Sequence, residues 1–122
     1  MTLLDTNVVI ELLKRKAETQ TELLSLTPPF AISAITLMEL IHGAHNNQEV
    51  AAIEHYLRRF ELLHVSQSIS NRALELMRHY AKSHSLELTD SLIAATAIEQ
   101  QRPLFTYNRK DFRFIHDLHI TP

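Results

Sequence analysis

Short apolar runs alternate along this chain with longer stretches whose apolar residues recur every three or four positions. The short runs are "TLLD" (2–5), "FAIS" (30–33), "LLHV" (62–65), "PLFT" (103–106) and, more weakly, "LHI" (118–120). Each suits a strand buried on both faces better than a half-exposed antiparallel one. The stretches between them read as helices. "TNVVIELLKRK" (6–16) opens on Thr6 or Asn7 as a cap and ends in cations that suit a helix C-terminus. "ETQTELLSL" (18–26) is stopped by Pro28 and Pro29, and "SAITLMELIHGA" (33–44) is capped by Ser33. "NQEVAAIEHYLRRF" (47–60) and "SISNRALELMRHYAKSHS" (68–85) are amphipathic. Their residues Ile53, Tyr56, Leu57, Leu74 and Met77 exceed what one small core needs, which predicts an outward apolar face. A last helix begins at Thr89 in "LTDSLIAATAIEQQ" (88–101). Strands separated by helices predict a parallel α/β sheet, and residues 1–122 form one domain with no repeat or linker.

The last helix carries a contradiction. It is apolar almost all round, as core helices are. Yet Asp90 stands in its first turn, and Asp is seldom buried without a partner. Three other acids occupy equivalent places. Asp5 closes the first strand, where ligands of open parallel sheets bind. Glu39 shares a narrow polar stripe with Thr36 and Gly43 on a mostly apolar helix. Asp111 follows the fourth strand in "FTYNRKDF". Each has an ordinary local explanation: a helix cap for Asp5, a solvent-facing stripe for Glu39, the helix dipole for Asp90, a solvated turn for Asp111. Gly43 admits two readings as well, a close approach of substrate to backbone or a plain helix end. Taken together, the four acids fall where one sheet edge gathers them. Two carboxylates about 4 Å apart repel by roughly 4 kcal/mol at an effective dielectric of 20. Such a cluster needs a cation or raised pKa values. Hard oxygen ligands without cysteine point to Mg²⁺ or Mn²⁺, which orient phosphates and activate water.

Composition narrows the picture. The chain has 122 residues, no cysteine and a net charge of −2, so neither a disulfide framework nor a thiolate zinc site is available. Without the four acids the remainder carries +2, with basic clusters at 14–16, 58–59 and 108–113, which allows phosphate binding without requiring it. The N-terminus lacks a charged region ahead of its apolar residues, and no apolar run approaches the roughly 20 residues that span a bilayer. A cytoplasmic protein without membrane contact is the expectation.

Four segments, "LLDTNVVIELL", "ISAITLMELIHGA", "LTDSLIAATAIE" and "LFTYNRKDF", resemble a PIN domain, and most closely the VapC-type ribonuclease toxins of bacterial toxin–antitoxin pairs. The match runs from Leu3 to Asp111. Each motif alone is weak, but four in this order and spacing are specific. The resemblance implies a three-layer α/β/α fold with strand order 3-2-1-4-5. It implies a metal-dependent endoribonuclease that hydrolyses RNA by a metal-activated water. By similarity Asp5, Glu39 and Asp90 hold Mg²⁺ or Mn²⁺, Asp111 is the fourth acid, and Thr6, Asn7, Thr106 and Asn108 are polar supports. It further implies a homodimer inhibited by a VapB-type antitoxin, with operator DNA reached only through that antitoxin. Two positions depart from the pattern. Thr89 stands where proline is common before the aspartate, and Tyr107 where arginine is common before the asparagine.

Other readings are weaker. The pairs Glu39/His42 and Glu61/His64 have Glu-x-x-His spacing, but a di-iron bundle requires 61–64 to be helical, whereas "LLHVS" reads as a strand. The zincin motif is absent, so the histidines at 42, 45, 116 and 119 read as ordinary surface or partly buried residues. A phosphatase for small substrates is disfavoured by the basic clusters and the toxin-like motifs. A catalytically inactive PIN-like module that only binds RNA or protein is disfavoured by the presence of all four acids.

Overall fold

A computed structural model describes Met1–Pro122. β1 (Thr2–Leu4) lies inside a parallel sheet, flanked by β2 (Phe30–Ser33) and β4 (Leu104–Phe105), with β3 (Glu61–Leu63) beyond β2. Leu3 pairs with Ala31 on one side and Leu104 on the other, and Ser33 pairs with Leu63. Side chains alternate across the pleat. Leu3, Ala31 and Leu104 therefore join one buried cluster, and Leu4, Ile32 and Phe105 the other. Both faces are covered, which is why the strands carry no polar alternation.

The Leu4 face is covered by α1 (Thr6–Leu13), α3 (Ala34–Gly43) and α4 (Asn47–Leu57) through Val8, Val9, Leu12, Leu40, Ile53 and Leu57. The Leu3 face is covered by α5 (Gln67–Tyr80) and α6 (Leu88–Glu99) through Ile69, Ala73, Leu76 and Ile93. A short α2 (Ala17–Leu24) lies at the margin, with Thr19 its only buried residue. The α6 alanines at 94, 95 and 97 are buried, and such small side chains let neighbouring elements approach a central helix closely. Local caps fix where helices start: Ser33 accepts from the Ile35 N–H (3.0 Å), Asn46 from Glu49 (2.9 Å) and Ser66 from Ile69 (3.2 Å). The result is the expected three-layer α/β/α fold. No helix is long and apolar enough to cross a membrane.

Some expectations need correction. The fifth strand, "LHI", is reduced to one parallel bridge between Leu104 and Ile120. β4 has only two residues, so its outer edge supports one pair of bonds, Leu104 N–H to His119 O and Thr121 N–H to Leu104 O. The bridge occupies the place a fifth strand would take. Thr89 does not cap α6; the helix starts one residue earlier, after Glu87, and that cap has no side-chain bond. Ile53 and Leu57 are not an outward face: both are under 9% exposed, because the sheet is wide enough to need α4 in the core. Tyr56 and Met77 are partly buried against the two clusters, and only Leu74 is exposed. The strand Glu61–Leu63 removes the helical Glu-x-x-His pair and with it the di-iron reading.

One polar contact ties the entries of the two outer strands together. Arg102, 8% exposed, donates from Nη2 to both carboxylate oxygens of Glu61 (3.1 and 3.0 Å), while its Nε and Nη1 are buried without a partner. Removing one member of a buried pair strands the other charge, which costs ~3–5 kcal/mol for a fully buried pair. Glu61 is half exposed, so the cost here is lower. We expect Glu61→Ala to lose about 2 kcal/mol in urea unfolding, and Arg102→Met to lose less because the charge it leaves behind, on Glu61, is half exposed to water. Equal losses in the two variants would contradict this account of Arg102.

Candidate active site

Asp5 is the first residue past β1, and its N–H still donates to Phe105 O (3.0 Å) at the end of the β1–β4 ladder. Its extended backbone makes it the N-cap of α1. Oδ1 accepts from the Thr6 N–H (2.8 Å), and Oδ2 accepts from the Thr106 hydroxyl (2.7 Å). The ordinary cap and the site residue are therefore one and the same carboxylate. It is 5% exposed, and burial holds its pKa above the usual value. The Thr106 and Thr6 bonds pull the other way, and the charges of Glu39 and Asp111 push it up again.

Glu39 comes from the middle of α3. Its Oε1 accepts from the Thr6 hydroxyl (2.8 Å). That commits the Thr6 proton, so Thr36, 2.9 Å away and fully buried, donates to Thr6 Oγ1. The polar stripe of α3 faces the acid cluster rather than solvent. Thr36 was not among the expected supports, although its place three residues before Glu39 on the same stripe was the available signal. Gly43 ends α3, and a Cβ there would meet nothing within 4 Å, so no close approach requires the glycine.

Asp90 reaches the cluster from the first turn of α6. It is half-buried, and its pKa is pushed up to about 7. Burial is the largest cause; the charges of Asp5, Asp111, Glu39 and Glu87 follow, all in the same direction. Asp90 is thus not paired within the chain. Its nearest influences are other carboxylates.

Asp111 ends a short 3-10 turn (Arg109–Asp111) and is exposed. It is not paired with its basic neighbours: Arg109 donates instead to Thr121 O. The other polar supports form a chain around Asp5. Asn108 N–H donates to Thr106 Oγ1 (3.0 Å), the same hydroxyl that donates to Asp5. Asn7 Oδ1 accepts from the Tyr107 N–H (3.3 Å), while Asn7 Nδ2 is buried without an acceptor. The Tyr107 phenol, in place of the commoner arginine, donates to Glu22 Oε1 (2.5 Å) and accepts from the Thr19 hydroxyl (2.9 Å). It fastens α2 to the loop after β4, a tie that the sequence did not suggest.

All four acids share one electrostatic field, but nowhere do three Asp, Glu or His side chains close on one point as a finished cation cage. The donor set is nevertheless the right chemistry for a hard divalent cation. It is all oxygen, mutually repulsive and partly desolvated, with two members oriented by hydroxyls.

Comparison with known proteins identifies the family. A family model described as "PIN domain" matches residues 2–116. Ribonuclease VapC10 of Mycobacterium tuberculosis is 34% identical over 121 residues, covering 97% of this chain and 90% of the relative. A toxin–antitoxin complex from Klebsiella pneumoniae superposes with a TM-score of 0.83 at 34% identity, over 100% of this chain and 98% of that one. A DNA-bound VapBC from Salmonella typhimurium gives a TM-score of 0.86 at 26% identity, over 98% and 96% of the two chains. With a family match across nearly the whole chain and VapC relatives of full length, this protein belongs to the PIN domain family and, within it, to the VapC ribonucleases.

Proposed function

We propose that this chain is a Mg²⁺- or Mn²⁺-dependent endoribonuclease, the toxin of a toxin–antitoxin pair. What supports the proposal is that Asp5, Asp111 and Glu39 all add their charge to the burial that lifts Asp90 to about 7. Asp5, Glu39 and Asp90 would hold the cation. Bound there, it would orient a backbone phosphate, neutralise developing charge and activate a water. The chain's own part is positional. The Thr6 amide and the Thr106 hydroxyl fix both oxygens of Asp5, and the Thr6 hydroxyl fixes Glu39. Asp111, exposed in the loop after β4, would orient the attacking water or steady Asn108 from outside the cation's ligands. Water adds at phosphorus and the P–O3′ bond breaks, leaving a 5′-phosphate and a 3′-hydroxyl. The absence of a nucleophile triad, or of a His pair suited to 2′-hydroxyl attack, favours that course.

The partners follow from the same reading. The two solved structures above are a toxin–antitoxin complex and a DNA-bound VapBC. In this chain a groove of about 530 Å³ runs beside Glu39, lined by Ile10, Leu13, Leu40 and Tyr56 with Lys14 and Arg15. It is the seat we assign to an apolar segment of a VapB-type antitoxin. A homodimer follows from the family reading, and operator DNA would be reached through the antitoxin.

The cleavage test uses end-sequencing of RNA with the purified protein. We expect 5′-phosphate ends, loss of cleavage in excess EDTA and no cleavage by Asp5→Asn. Thr106→Val should lose ~10–100-fold, as supports of metal ligands do, and Asp111→Asn a similar amount, partly recovered at high Mn²⁺. Ends bearing 2′,3′-cyclic phosphate, or full activity in EDTA, would reject the mechanism. If Asp111→Asn is as inactive as Asp5→Asn at every Mn²⁺ concentration, Asp111 belongs among the ligands.

A second test needs no substrate. The Asp90 carboxyl holds its proton more tightly in the fold (about 7) than in the unfolded chain (3.8). Between those values the folded state binds more protons, so stability falls as pH rises through the window. In EDTA, the urea midpoint of the wild type should drop between about pH 4 and pH 7, beyond any drop in Asp90→Asn. Parallel pH profiles for the two proteins would show that Asp90 does not sit in the field described.

A further inference from the structure

The aromatic residues at the foot of α5 are not used by anything above. Past Tyr80 the chain turns through residues 81–87 before α6 begins. In that turn the His84 ring lies flat on Phe114, with centroids 4.4 Å apart and planes 15° from parallel. Tyr80 meets both rings edge-on, at 5.6 and 5.2 Å. Tyr80 and Phe114 are partly buried against the core, whereas His84 is exposed. One face of the imidazole is therefore covered and the ring still opens to solvent.

The ring is also held in orientation. The Ser83 hydroxyl donates to His79 O (3.1 Å), so the 2.8 Å contact between Ser83 Oγ and His84 Nδ1 must take its proton from the imidazole. Nδ1 carries that proton, and Nε2 remains for an outside partner. Leu86, 5% exposed, anchors the turn in the core just beyond.

What stands next to this ring gives it meaning. His84 and Phe114 line one depression of about 300 Å³ together with Asp90, Asp111 and Lys110. One wall is aromatic, and another is made of two acids of the cluster. Lys110 enters no ion pair with either acid, unlike Arg72 and Arg102, which are tied to carboxylates elsewhere. Single-stranded RNA offers two features to such a surface: unstacked bases with open π faces, and a phosphate between each pair of riboses. We propose that His84, backed by Phe114, is the stacking platform for the nucleobase next to the scissile phosphate, with Lys110 on the adjoining backbone phosphate. This makes His84 a binding residue that selects single-stranded RNA at the site, and it rests on the ribonuclease reading above.

A platform of this kind acts on substrate binding and leaves the chemical step alone. Loss of one base–aromatic stack typically weakens binding by about tenfold. In cleavage of a short single-stranded oligoribonucleotide, His84→Leu should raise KM by about tenfold with kcat within ~2-fold of wild type. His84→Phe should keep the wild-type KM. An abasic nucleotide beside the cut should cost the wild type a similar factor, and cost His84→Leu little more. A structural role for the ring would instead lower kcat or stability in both variants. Binding is read separately by fluorescence anisotropy of the same oligonucleotide in the Asp5→Asn background. If the wild type fails to cleave RNA while His84→Leu still weakens binding, the ribonuclease reading fails and the platform stands. If the wild type cleaves but His84→Leu matches it in KM and anisotropy, or the abasic loss is undiminished in His84→Leu, the platform is overturned. Absence of binding to any single-stranded RNA overturns it as well.

Discussion

A single buried carboxylate organises the upper edge of this sheet. Asp5 ends β1, starts α1 and receives the Thr106 hydroxyl from the loop after β4. Three elements are thereby registered to one side chain that is 5% exposed. The arrangement follows from the parallel sheet itself. β1 and β4 are neighbours, so the residues after their last pair, Leu4 with Phe105, emerge side by side. A threonine at the end of β4 can then meet an aspartate at the end of β1, although 101 positions separate them in sequence.

That geometry has an electrostatic cost. Burial and like charges both oppose ionisation of Asp90, and burial opposes that of Asp5. The chain offsets part of this at Asp5 with hydrogen bonds and leaves Asp90 without compensation. Carboxylates tuned in this way are poor at stabilising a fold and well suited to taking up a cation. The hydroxyl chain from Thr36 through Thr6 to Glu39 shows that a second acid is also held in place rather than left to solvent.

Much of this was legible in the sequence for definite reasons. Apolar strands and amphipathic helices gave the layers, and Asp5, Glu39, Asp90 and Asp111 stood out because each broke an otherwise apolar or turn-like context. What stayed hidden was long-range or short of pattern. The Thr106–Asp5 and Arg102–Glu61 contacts join residues with no shared periodicity. "LHI" has strand composition, yet the two-residue β4 limits it to a single bridge. Ile53 and Leu57 looked surplus because the breadth of the sheet they cover cannot be counted from a helix alone. The His84–Phe114 stack joins residues 30 positions apart, with no motif to announce it.

If Asp5, Glu39 and Asp90 hold one cation, its affinity is linked to the proton on Asp90. Calorimetric titration of Mn²⁺ into the metal-free protein, at about pH 6.5 and in two buffers of different ionisation enthalpy, measures both parts at once. The account predicts saturable binding whose heat differs between the buffers, because a proton leaves as the ion enters. It also predicts that Asp5→Asn loses that binding. Binding that is unchanged in Asp5→Asn, or identical heats in the two buffers, would contradict it.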